Sequence, residues 1–168
     1  MILFVRHGET NLNKQNIMQG RLDEPLNQTG IEQAQKTALA LKNESIDIIY
    51  SSPLKRAKQT AQIINQEHNV QIVIDERINE IDLGDLTGTP LIKQNLDNLA
   101  NADFAKKHNA EDFQTMFNRC KQFYDYVSSL NKNILIVAHR GVGYQLKKYL
   151  NLNEDEFVRN CEVVTLKK

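Results

Sequence analysis

Three short apolar runs constrain this chain more than any other feature: Ile2–Val5, Ile46–Tyr50 and Ile134–Ala138. Each is rich in Ile, Leu or Val and too short for a typical helix. Runs of this kind suit strands buried on both faces, as in a parallel sheet between helix layers. A weaker run, Gln71–Ile74, reads as a fourth strand, and Glu162–Leu166 as an edge strand. Helical patterns alternate with these runs. Thr29 is the expected cap of a helix over Gly30–Leu41, where Ile31, Ala34, Ala38 and Leu41 recur at helical spacing. A second helix fits Leu54–Gln66, with Pro53 near its start. A third fits Ala110–Leu130, whose stripe of Phe113, Phe117, Cys120, Phe123, Tyr124 and Val127 reads as core, and a fourth fits Gly141–Leu150. Strands alternating with helices predict an α/β fold, a three-layer α/β/α sandwich. The chain has 168 residues, no repeat and no low-complexity linker. A single domain over residues 1–168 is expected, since ~100–200 residues is the usual domain size.

The residues that follow each run carry the chemistry. After Ile2–Val5 come Arg6, His7, Gly8, Glu9 and Thr10; after Ile46–Tyr50 come Ser51 to Arg56; after Ile134–Ala138 come His139, Arg140 and Gly141. Ligands of open parallel sheets bind outside the carboxyl ends of the strands. Neighbouring strands would therefore bring Arg6, His7, Arg56 and His139 to one crevice, with helix N-termini opening onto it. That set suits an anion, and phosphate most naturally, because arginine forks match phosphate oxygens with paired hydrogen bonds. The other two histidines, His68 and His108, sit in polar stretches and read as solvent-facing.

Composition narrows the classes. The 21 basic and 21 acidic residues cancel to +0, which argues against a nucleic-acid binder. Cys120 and Cys161 have no metal-type spacing with His68, His108 or His139 and read as buried thiols in a reducing compartment. No Asp/His cluster stands at metal-ligand spacing, so neither metal nor cofactor is expected. The first five residues, Met1–Val5, are too few for a signal-peptide core, and no run approaches the ~18 residues of a membrane span. A cytoplasmic protein without membrane contact is the expectation.

The strand-end residues belong to longer blocks. Arg6-His7-Gly8-Glu9-Thr10 with Asn13 resembles the signature of the histidine phosphatase superfamily, also called the phosphoglycerate mutase-like family. Gln19-Gly20-Arg21-Leu22-Asp23, Pro25-Leu26, Thr29-Gly30 and Gln33-Ala34 are similar to its second block. Ser51-Ser52-Pro53-Leu54 with Arg56-Ala57 and Gln59-Thr60-Ala61 resembles the third. Ile78-Asn79-Glu80-Ile81-Asp82 with Gly84 and Gly88 resembles the acid-carrying block, and Val137-Ala138-His139 the last. The resemblance covers nearly the whole chain and implies a mostly parallel sheet with one antiparallel edge strand.

It further implies phosphoryl transfer through a phosphohistidine. His7 would be the nucleophile, with one ring nitrogen free and the other held by a partner that the sequence does not identify. Arg6, Arg56 and His139 would surround the phosphoryl group with positive charge. Glu80 would protonate the leaving oxygen and then activate water. Glu9 is the alternative acid by proximity, though its place in the signature suits a structural role. Asn13 and the backbone N–H of Arg140 match phosphate-contacting positions; Gln19 and Gly20 match the mouth. The Arg140 side chain stands where the family often has a small residue, and its role stays open. Leu86 replaces a tryptophan of the family's acid block. Residues 89–110 correspond to the substrate cover and are short here. The implied function is a phosphatase of phosphomonoesters, with a small phosphate ester as partner and room for a homodimer. A cofactor-dependent phosphoglycerate mutase, a protein phosphohistidine phosphatase and a non-catalytic phosphate-binding protein are the alternatives.

Overall fold

Alternation along the strands explains the layers. The structure, a computed structural model, describes residues 1–152 and 157–167. Strands β1 (Ile2–Arg6), β2 (Ile48–Ser51), β3 (Gln71–Ile74), β4 (Ile134–Ala138) and β5 (Val163–Lys167) form one sheet in the order β3-β2-β4-β1-β5. β1, β2, β3 and β4 run parallel, and β5 pairs antiparallel with β1 at the edge. Successive side chains point to opposite faces. Phe4, Tyr50, Ile134 and Ile136 pack into one cluster, while Leu3, Val5, Ile49, Leu135 and Val137 pack into another. Both faces are apolar because both are covered.

The helices are α1 (Asn11–Lys14), α2 (Gln28–Leu41), α3 (Lys55–Asn65), α4 (Lys93–Asn98), α5 (Ala102–Lys107), α6 (Phe113–Ser129) and α7 (Arg140–Tyr149). α2 and α3 supply Ala38, Leu41, Ala57, Ala61 and Ile64 to one face; α6 and α7 supply Met116, Cys120, Phe123, Val142 and Leu146 to the other. The sandwich is therefore the one expected. All four long helices fall where their periodicity places them. Their starts differ, because capping follows side-chain geometry and not periodicity. Asn27, not Thr29, caps α2: its Oδ1 accepts from the Gly30 N–H at 2.8 Å. Asp112 caps α6 in the same way, accepting from the Thr115 N–H at 2.9 Å. The short helices α1, α4 and α5 carry no periodic stripe long enough to read.

Two glycines lock the first strand–loop junction to α2. A Cβ on Gly8 would stand 2.4 Å from the Gly30 carbonyl oxygen, and one on Gly30 would stand 2.1 Å from the Glu9 carbonyl oxygen. Only glycine permits that approach. Among the described residues no helix is long and apolar enough to cross a membrane. The single-domain reading extends over residues 1–168, of which 153–156 and 168 lie outside the described residues.

Candidate active site

The carboxyl ends of β1, β2 and β4 lie side by side, so the residues that follow them converge. Backbone bonds carry the pairing one residue past the strands. The His7 N–H donates to the Ala138 carbonyl at 2.9 Å, and the Ser52 N–H donates to the Val137 carbonyl at 3.1 Å. His7 and His139 end up with ring centroids 5.2 Å apart. Eight of the nine sequence-derived site residues line one cavity of about 590 Å³: Arg6, His7, Asn13, Gln19, Gly20, Arg56, Glu80 and Arg140. The ninth, His139, is 0% exposed and lies against His7 behind the cavity wall.

His7 is 3% exposed, and its Nδ1 lies 2.7 Å from the Gly8 carbonyl oxygen. A carbonyl only accepts, so Nδ1 carries the proton and the Nε2 lone pair is left unprotonated. This is the partner that the sequence did not identify. Burial, then the Arg56 and Arg6 charges, hold the His7 imidazole well below its ordinary range. The same causes, burial first and Arg56 next, hold the His139 imidazole well below its ordinary range. Burial and the neighbouring Arg56 thus work against the positive charge expected of His139. Its Nε2 lies 2.6 Å from Ser52 Oγ, and its Nδ1 is buried with no partner among the described residues.

Two of the cations at the cavity are Arg56 and Arg6. Arg56 is 1% exposed; its Nη1 donates to the Leu22 carbonyl at 2.6 Å and its Nη2 to the Gly20 carbonyl at 2.8 Å. Gly20 holds φ at +48°, a left-handed turn that glycine adopts without strain and that aims its carbonyl inward. Arg6 donates from Nη1 to the Val158 carbonyl at 3.2 Å. Burial first, then the Arg140 charge, lowers the Arg6 guanidinium to about 10, still protonated at neutral pH. Arg6 Nε and Arg56 Nε are both buried without partners among the described residues. Two orphaned, positively charged donors in one cleft call for an anion, since an unsatisfied buried donor is costly.

Glu80 reaches the cleft from the loop after β3. Its Oε1 accepts from the Ile81 N–H at 3.0 Å and its Oε2 from the Gly141 N–H at 3.5 Å. A Cβ on Gly141 would stand 2.4 Å from Glu80 Oε1, so a glycine there makes room for the carboxylate. Glu9 is occupied elsewhere: its Oε1 accepts from Asn27 Nδ2 at 2.8 Å, and its N–H donates to Gln33 Oε1 at 2.9 Å. Glu9 pins the first loop to α2, as its place in the signature suggests. Asn13 and Gln19 are tied to Thr10: Asn13 Oδ1 accepts from the Thr10 N–H at 3.2 Å, and Gln19 Oε1 accepts from Thr10 Oγ1 at 3.0 Å. The Arg140 side chain faces the cavity, and its guanidinium stacks on the Phe157 ring at 4.5 Å.

Sequence reasoning missed the supports. Arg119 on α6 donates to the carbonyls of Arg77 at 2.8 Å, Asn79 at 2.7 Å and Glu80 at 3.2 Å, while pairing with Glu111 at 2.7 Å. It holds the Glu80 loop from behind. An arginine beside an apolar stripe carries no periodic signal, so nothing in the pattern marked it. Asn160 donates to the His7 carbonyl at 2.8 Å, and Thr60 Oγ1 accepts from the Gly8 N–H at 3.1 Å. The cavity is also larger than one phosphoryl group and within the ~300–1,000 Å³ of small-molecule sites. Its outer wall uses Leu91 and Leu96, as the cover reading implies, but also Phe113, Met116, Tyr144 and Phe157. His68 and His108 are half-buried, not solvent-facing, and the His108 ring lies 4.5 Å from the Phe104 ring. Cys120 and Cys161 are free and buried, and burial pushes both thiols up to about 12.

A parallel sheet whose central strand ends present two buried histidines and two arginines defines a phosphate-handling class of protein. The chain belongs to the histidine phosphatase superfamily, branch 1, whose family model matches residues 2–167. That superfamily hydrolyses phosphoric monoesters. An uncharacterized phosphatase of Bacillus subtilis, PhoE, is 41% identical over 143 residues, which is 82% of this chain and 70% of that one. Phosphoserine phosphatase 1 of Hydrogenobacter thermophilus is 32% identical, across 82% of this chain and 70% of its own length. The crystal structure of the alpha-ribazole phosphatase from Shigella flexneri superposes with a TM-score of 0.79 at 26% identity, covering 96% of this chain and 87% of that one.

Proposed function

We propose that the protein is a metal-independent phosphomonoester phosphatase working through a phosphohistidine on His7, as a single domain over residues 1–168. The observation that carries this reading is the His7 ring: Nδ1 tied to the Gly8 carbonyl at 2.7 Å, Nε2 free, and the imidazole held neutral. A neutral ring with a fixed tautomer is a nucleophile at ordinary pH. Its Nε2 lone pair forms the N–P bond as the ester P–O bond breaks, and the Glu80 carboxyl gives its proton to the leaving alcohol. In the second half, the Glu80 carboxylate takes a proton from water; the water oxygen bonds phosphorus and the N–P bond breaks. Inorganic phosphate leaves and the starting state is restored. Arg6 and Arg56 face the phosphoryl oxygens from Nε and offset their charge, the task a metal ion would otherwise perform. His139, neutral, contributes an N–H. Asn13, Gln19, Gly20 and the Arg140 N–H shape the phosphate end.

The partners are small phosphate esters and not nucleic acid, in keeping with a net charge of +0. We place the protein in the cytoplasm, as a monomer or homodimer. The test is a panel of phosphate monoesters assayed for phosphate release in excess chelator. Release at an undiminished rate is expected. Loss of activity with the chelator, restored by a divalent cation, would overturn the metal-independent reading. Isomerisation of 3-phosphoglycerate by the bisphosphate-primed protein without phosphate release would make it a mutase.

A further inference from the structure

Among the described residues, Gln145 is the one buried polar side chain lining the cavity that the mechanism leaves unused. It sits on α7, one turn past Arg140 and Gly141, and lines the cavity wall at 2% exposure. Its Oε1 is buried with no hydrogen-bond partner among the described residues. An amide in that state costs stability unless something pairs with it, because desolvation is not offset by a bond. Around it the wall is apolar: Leu91, Leu96, Phe113, Met116, Tyr144 and Phe157. Tyr144 and Phe157 present ring planes tilted by 36° with centroids 6.0 Å apart. The charged groups of this outer half are engaged. Lys93 pairs with Asp97 at 2.7 Å, and Arg140 stacks on Phe157. Among the described residues, the carboxylate of this half is Asp97, which Lys93 already holds.

We propose that Gln145 is a specificity-determining residue, and that the preferred esters carry an aromatic or otherwise largely apolar alcohol bearing one neutral hydroxyl or amide. The apolar wall takes the body of the alcohol, and the amide of Gln145 takes its single polar group. A hydroxyl suits either orientation of the amide, since it both donates and accepts. An apolar alcohol without that group leaves the amide unpaired, and sites of this kind reject such analogues strongly. Among the described residues, a strongly zwitterionic alcohol meets no unpaired counter-ion in this half. The inference rests on the phosphatase reading and deepens it.

The test uses naphthyl phosphates carrying a single hydroxyl, or a single methyl, at successive ring positions, with phosphoserine alongside. At the best position the hydroxyl ester is expected to exceed the methyl ester in kcat/KM by about tenfold, the worth of one neutral hydrogen bond. Gln145→Met is expected to bring that ratio to about one by slowing the hydroxyl ester, with the methyl ester within about twofold of its original rate. Equal rates for the two series at every position would overturn the proposal, as would a ratio preserved in Gln145→Met. Should that variant fail to fold, the comparison in the unaltered protein decides alone. Phosphoserine outpacing every naphthyl ester would also overturn it. Phosphate release from none of these esters would overturn the phosphatase reading instead, and this inference with it.

Discussion

The two ends of the cavity are built on different plans. The heart of the phosphate end is made from Arg6 and His7 at the end of β1, His139 and Arg140 after β4, and Arg56 in the first turn of α3, just after β2. Sheet pairing fixes the loops that carry them: His7 and Ser52 both donate to β4 carbonyls. The outer end is made from side chains of α6, α7, the 89–110 segment and Phe157, which no sheet bond positions. The inner end is rigid and charged; the outer end is apolar and depends on helix packing. Chemistry needs the first and substrate choice the second, so the two should respond differently to substitution.

The largest difference is expected at Glu80. Glu80→Gln should cost about 10²–10⁴-fold in phosphate release from an alkyl ester, because the leaving alkoxide then lacks its proton. With a nitrophenyl ester, whose leaving group needs no acid, the loss should be smaller. An equal loss for both would remove Glu80 from the acid role.

Next comes the pH dependence of the inner end. His7 and His139 are held neutral in the fold, while an unfolded histidine titrates near 6.5. Below pH 6.5 the unfolded chain binds protons that the fold does not, so stability present above that pH is lost as the pH falls. From pH 6.5 to 5.5 each histidine should cost about 1 kcal/mol of unfolding free energy. Denaturant titrations should show the slope, and His139→Gln should remove about half of it. A flat profile over this range would mean that neither ring is held neutral.

Arg119 tests how far the inner end depends on what lies behind it. Arg119→Met should lower kcat by roughly tenfold or more with KM nearly unchanged, since the Glu80 loop loses its anchor while the phosphate groove does not. Arg119→Lys should recover little, as one ammonium cannot serve the three carbonyls that the guanidinium fork reaches. A pure KM effect would place Arg119 in binding. The smallest effect belongs to the outer wall. Leu91→Ala, half-exposed at the cavity edge, should change kcat/KM by about threefold, and differently from one ester to another. A uniform loss across all esters would contradict the division between the two ends.

The same division governs what could be read from the sequence. The strand runs were legible because burial on both faces leaves them almost wholly apolar, Asp47 being the exception, and the chemistry was legible because it directly follows. Ile134–Ala138 leading into His139 is such a case. Glu80 became visible only through the family pattern, because Asp75, Glu76, Asp82 and Asp85 crowd its segment without distinction. Arg119, Gln145 and Phe157 act through spatial neighbours far away in the chain, and no spacing rule links them to His7. The α2 cap moved from Thr29 to Asn27 because both residue types cap well, and only the bond from the Gly30 N–H decides. The downward pressure on His139 was hidden as well, since it depends on burial and on Arg56 beside it.

The central claim is that phosphorus is bonded to His7 during turnover. It is tested most directly by mixing the protein with a radiolabelled phosphate ester, quenching in alkaline denaturant within the first turnover, and mapping the label by mass spectrometry. The account expects an acid-labile, base-stable phosphoryl group on His7, and none on a His7→Ala variant that releases phosphate at least about 10⁴-fold more slowly. Full-rate release by that variant, or label on any other residue, would contradict it.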